Sequence, residues 1–117
     1  MLMLSRLALG ATMLAVTTLH DTPTDPAART HRVASHRVTQ KNKTFMPGEI
    51  TVAVGDSVTF ANEDAVTHNV FSRSEGYGFN LKLQAPGKVH AVPFTKAGTA
   101  EVRCAFHPTM KLRVIVR

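Results

Sequence analysis

From about residue 32 onward the chain is a series of short alternating apolar runs separated by turn residues, and no segment there has a helical period. In "EITVAV" (49–54), Ile50, Val52 and Val54 share one face; "GD" turns the chain, and "SVTFAN" (57–62) then sets Val58 and Phe60 together. That pair of runs reads as a hairpin. Further runs follow at 68–72, 79–83, 88–94, 100–106 and 111–117, with "RVASHRVT" (32–39) as a first strand. "SEGYG", "APG" and "KAG" mark turns between them. Strands this short can each bury one face only by stacking in two sheets. The expected fold is therefore all-β, a Greek-key β-sandwich of seven to eight strands.

The residues ahead of these runs are of another kind. Arg6 is followed by an uncharged apolar run from Leu7 to Leu19. It is shorter than the ~20 residues that span a bilayer and fits a signal-peptide core. Residues 1–19 are read as a signal peptide, 20–32 (with Pro23 and Pro26) as a linker or mobile arm, and 33–117 as the domain. This predicts a periplasmic or secreted protein with no stable membrane insertion of the mature chain. Loss of the leader removes only Arg6 and leaves 13 basic residues against 8 acidic. The basic residues are scattered and the chain has one Tyr and no Trp, so neither an arginine-rich stripe nor a base-stacking platform is present, and nucleic acid is excluded as a partner.

Export makes the single cysteine informative. Cys104 has no internal disulfide partner, so it is either buried and inert or ligated. In "AEVRCAF", Glu101 and Arg103 share one parity and face water, which turns Val102 and Cys104 inward. Residues 104–110 of "CAFHPTMK" then form a loop between two neighbouring strands. Cys104, His107 and Met110 sit there at steps of three. With 6 His and 5 Met in 117 residues, that spacing arises by chance with a probability of roughly 0.002, or about tenfold more once other eye-catching spacings are counted. A thiolate, an imidazole and a thioether suit copper, and a second imidazole would complete a trigonal His₂Cys set with a weak axial Met. His68, in "EDAVTHNVF", lies where a loop enters a strand, at the same end as the Cys104 loop. His20, His31 and His36 belong to the leader, arm or first strand. His90 sits mid-run, where a surface or satisfied histidine is the ordinary reading.

These stretches, with "FMPGEITVAVGDSVTFANEDAVTHNV" and "CAFHPTMKLRVIV", resemble the small blue-copper proteins (cupredoxins). The C-x-x-H-x-x-M spacing is similar to the amicyanin type, plastocyanin loops being longer. The resemblance covers about Val38 to Arg117. It implies that His68, Cys104, His107 and Met110 bind one type 1 copper, and that Asn69 braces the ligand loops. It also implies that His107 is the electron port, in an apolar patch with Phe106 and Pro108. The expected function is a one-electron carrier that acts as a monomer. Its positive surface would steer an acidic redox partner such as a c-type cytochrome or a dehydrogenase. Copper enzymes of this lineage need a further copper site and more domains, and this chain has no H-x-H pair, so no enzyme is expected. A copper-holding or delivery protein with the same ligands is the alternative, and zinc or a purely structural sandwich a further one.

Overall fold

The computed structural model describes Gly10, residues 12–17 and residues 32–117. The chain divides into two units, residues 1–30 and 31–117. Described residues of the first lie in neither helix nor strand. The signal peptide and the arm expected over 1–32 otherwise lie outside the described residues, as do His20 and His31.

The second unit has nine strands and, among the described residues, no helix. They are β1 (Ser35–Lys41), β2 (Thr44–Met46), β3 (Glu49–Val52), β4 (Ser57–Asn62), β5 (His68–Ser72), β6 (Phe79–Gln84), β7 (Val89–Pro93), β8 (Gly98–Arg103) and β9 (Lys111–Val116). One sheet has the order β2-β1-β4-β7 and the other β3-β9-β8-β5-β6. Both are mixed, because β1 runs parallel to β4 and β3 parallel to β9 while the remaining pairs are antiparallel.

Alternation decides which side chains fill the space between the sheets. In β9, Leu112, Val114 and Val116 are buried while Lys111 and Arg113 are exposed. Val102 and Ala100 of β8 and Val70 of β5 meet them from the same sheet; Val38, Val58 and Phe60 come from the other. Phe60 is fully buried, with ring centroids 6.4 Å from Phe45 and 6.2 Å from Phe79. Each such large apolar side chain contributes about 1.5–3 kcal/mol by leaving water.

Two expectations need correction. The runs at 49–54 and 57–62 are not a hairpin: β3 pairs with β9, and β4 pairs with β1 and β7 in the opposite sheet. The cause is the buried carboxylate of Asp56, which accepts the backbone N–H groups of Ala53 and Ala34 and binds His36 Nε2 at 2.9 Å. This turn carries the chain across the sandwich, and Val54, expected beside Ile50 and Val52, lies exposed outside the strand. The count is also nine rather than seven or eight. The added strand is β2, three residues long with only Phe45 buried, too short to show an alternation.

β8 and β9 are antiparallel up to the pair Arg103↔Lys111, so residues 104–110 form the loop at that end of the sandwich. β5 pairs with β8 only at Phe71↔Arg103 and Ser72↔Val102. Its first residues, His68 to Val70, therefore extend past the ladder, toward the loop that starts at Cys104.

Candidate metal centre

His68, the first residue of β5, is fully buried, Cys104 is 2% exposed, and His107 is half-buried on the loop. Their donor atoms converge. The two Nδ1 atoms are 3.2 Å apart, and Cys104 Sγ lies 3.7 Å from His107 Nδ1 and 4.0 Å from His68 Nδ1. Metal–nitrogen and metal–sulfur distances of about 2.0 and 2.3 Å put the donors of a trigonal set roughly 3.5–3.8 Å apart. The observed triangle fits one ion bound by both Nδ1 atoms and the thiolate. Among the described residues this is the group of three His, Cys or carboxylate side chains that could hold a metal. Both His rings approach edge to face, with centroids 4.9 Å apart.

The loop is short and turned on itself, with Met110 N–H donating to His107 C=O at 2.9 Å. Met110, the fourth sequence-predicted residue, is 1% exposed and belongs to the core cluster that includes Cys104. Phe106 (51% exposed), Pro108 and, across the β4–β5 loop, Val66 are apolar and exposed. His36 is tied to Asp56, and His90 is exposed on β7.

Asn69 joins the elements that carry the donors. Its backbone N–H donates to Cys104 Sγ at 3.3 Å, and its Oδ1 accepts the N–H of Ala105 at 3.2 Å. Its Nδ2 donates to Asn80 Oδ1 and Lys82 C=O on β6. The expected bracing role is thus what these hydrogen bonds perform. Behind His68 lies a buried polar layer. Gln84, opposite His68 in the β5–β6 register, donates to Phe60 C=O and Lys88 C=O and accepts from Gln40 Nε2. Asn62 Nδ2 ties Gln84 C=O to Val66 C=O, which fixes the loop leading into His68.

Asp64 is the residue that sequence reasoning missed. Its Oδ2 lies 2.9 Å from His68 Nε2 and also accepts the backbone N–H of Lys43, while Oδ1 accepts the N–H of Ala65. The Lys43 N–H and then the His68 side chain hold its carboxyl down at about 2, below its ordinary 3.8, against a smaller opposing effect of burial. A carboxylate four residues before a candidate ligand was the available signal, but nothing in the sequence aims it at the ring.

Comparison with known proteins agrees with this geometry. Residues 33–117 match the family described as copper binding proteins, plastocyanin/azurin family. Amicyanin-alpha of Methylorubrum extorquens is 33% identical over 76 residues, covering 62% of this chain and 63% of its own. Amicyanin of Paracoccus denitrificans is 36% identical over 72 residues, covering 58% of this chain and 54% of its own. The chain thus spans little more than half the length of the curated relatives it matches. Among solved structures, a reduced Cu(I) form at pH 4 of an amicyanin variant superposes with a TM-score of 0.67 at 29% identity, over 71% of this chain and 82% of that one.

Proposed function

This chain belongs to the plastocyanin/azurin family of copper-binding proteins, and from that premise we propose that it is a one-electron carrier whose His68, Cys104, His107 and Met110 hold one type 1 copper. The observation that carries the reading is the convergence of two Nδ1 atoms and one thiol within 3.2–4.0 Å. Copper bound there supplies a one-electron couple. Cys104 would provide the soft thiolate, held in place by the backbone N–H of Asn69. Met110, buried in the same core cluster, would supply a thioether sulfur as the fourth donor. The bracing by Asn69, Asn62 and Gln84 holds the donors in one arrangement, so little movement accompanies transfer.

His107 is the half-buried ligand, and its neighbours Phe106 and Pro108 are exposed, which makes this edge the route by which an electron enters and leaves. Lys43, Lys82, Lys88 and Lys111 are exposed around this end of the sandwich. Among the described residues none of the four is in an ion pair. An apolar contact ringed by free ammonium groups suits a short-lived complex with an acidic redox protein, of the c-type cytochrome or dehydrogenase kind. We read the chain as a monomeric carrier and not as an enzyme, since its sequence has no H-x-H pair of the kind a further copper site of this lineage would need. Export rests on the leader read in residues 1–19. Among the described residues no helix is long and apolar enough to cross a membrane.

Addition of Cu(II) to the metal-free protein is expected to give an intense blue thiolate-to-copper band that Cys104→Ser abolishes. A colourless product, or one that takes up zinc in preference, overturns the reading. Electron exchange with a c-type cytochrome, set against copper transfer to a chelator, separates a carrier from a delivery protein.

A further inference from the structure

We propose that Asp64 is the positioning residue of this site: its carboxylate takes the Nε2–H of His68, leaves Nδ1 as the bare nitrogen facing Cys104 and His107, and by its charge favours the oxidised state of the metal. The inference rests on the copper reading above and adds to it a residue outside the donor set.

The geometry leaves little choice of tautomer. An ionised carboxylate only accepts, so a ring nitrogen 2.9 Å from Asp64 Oδ2 must carry its proton. The other nitrogen, Nδ1, is the one 3.2 Å from His107 Nδ1 and 4.0 Å from Cys104 Sγ. Because His68 is fully buried, its ring has no solvent to exchange partners with. A carboxylate on the far nitrogen of a metal-binding imidazole fixes ring orientation and raises ligand basicity.

Asp64 is itself held from two sides. Oδ2 accepts the Lys43 N–H at 2.9 Å, Oδ1 accepts the Ala65 N–H at 2.9 Å, and its own N–H donates to Asn62 Oδ1. Lys43 sits in the two-residue turn between β1 and β2, where both Asn42 and Lys43 have positive φ (52° and 56°). This turn aims the Lys43 N–H at the carboxylate. The side chain is 14% exposed, so water screens its charge weakly at His68. The neighbouring acid, Glu63, points elsewhere, to Arg37 on the exposed face.

Two measurements test this. In Asp64→Asn, which keeps the shape and removes the charge, the ratio of Cu(II) to Cu(I) affinity is expected to fall on the order of tenfold. That is an upward shift of about 59 mV for one electron. Glu63→Gln serves as the control and should leave the potential in place. An unchanged potential in Asp64→Asn, or an equal shift in Glu63→Gln, overturns the role assigned to the charge. In the metal-free wild type, ¹⁵N shifts of His68 should report a proton on Nε2 and a bare Nδ1. A proton found on Nδ1 overturns the positioning role even where Asp64→Asn fails to fold. A protein that takes up no copper overturns the function proposed above, while the metal-free spectrum still decides what Asp64 does to His68.

Discussion

Cys104, His107 and Met110 could be read from the sequence because they lie within one loop, and strand parity alone turns Cys104 inward. His68 could be placed because it opens a strand. Asp64 could not, because its contact with His68 depends on a turn more than 20 residues earlier that supplies the Lys43 N–H. The same contacts set a pH dependence. The Asp64 carboxyl is lowered in the folded protein, to about 2 from 3.8. The stability it contributes is therefore fully present above its ordinary value and is lost as the pH falls through that value toward about 2. In the metal-free protein, urea unfolding followed between about pH 5 and pH 2 should lose stability more steeply in the wild type than in Asp64→Asn. Parallel profiles would mean that these hydrogen bonds do not persist in solution.

At the level of elements, alternation told which side chain of a strand faces inward but not which strand lies beside it. The parities of "AEVRCAF" and "KLRVIVR" are those of β8 and β9, and these two do pair. The equally clear parity of β3 suggested β4 as its neighbour, whereas Asp56 redirects the chain to the other sheet. β2 had no legible signal, since three residues with one buried Phe45 show no period. The β1–β2 turn carries a further cost. An L-residue at positive φ is strained, and Lys43 sits at 56° in the second position of a turn where Asn-Gly is preferred. Lys43→Gly should stabilise the metal-free protein by about 0.5–1 kcal/mol, read as a higher urea midpoint with an unchanged slope. The variant retains the N–H that Asp64 accepts, so the potential of the copper form should move far less than in Asp64→Asn.

For the whole molecule, composition revealed the sign of the charge and concealed its distribution. The net charge of +6 is visible in the sequence. That Arg37, Arg103 and Arg113 are occupied by Glu63, Glu101 and Glu49, while Lys43, Lys82, Lys88 and Lys111 remain free at the site end, is visible only in the fold. Electron exchange with an acidic partner should therefore slow as salt rises from about 0.01 to 0.15 M, where the screening length falls from roughly 30 to 8 Å. Charge reversal at Lys88 and Lys111 should flatten that dependence in stopped-flow measurements, and a reversal at Arg37 should not. A rate indifferent to salt would locate the docking surface elsewhere.

The early end of the β5–β8 ladder has one more result. Past Phe71↔Arg103 the β5–β8 ladder offers the amides of Asn69 and Ala105 no partner, and they donate instead to Cys104 Sγ and to the Asn69 side chain. Their protons are therefore released to solvent when the site loosens, without any need for the sheet to open. Deuterium uptake at these two positions, compared with that at the amides of Val102 and Val114 in the core, becomes a clock for the opening of the site. It runs with or without metal and needs no colour to be read.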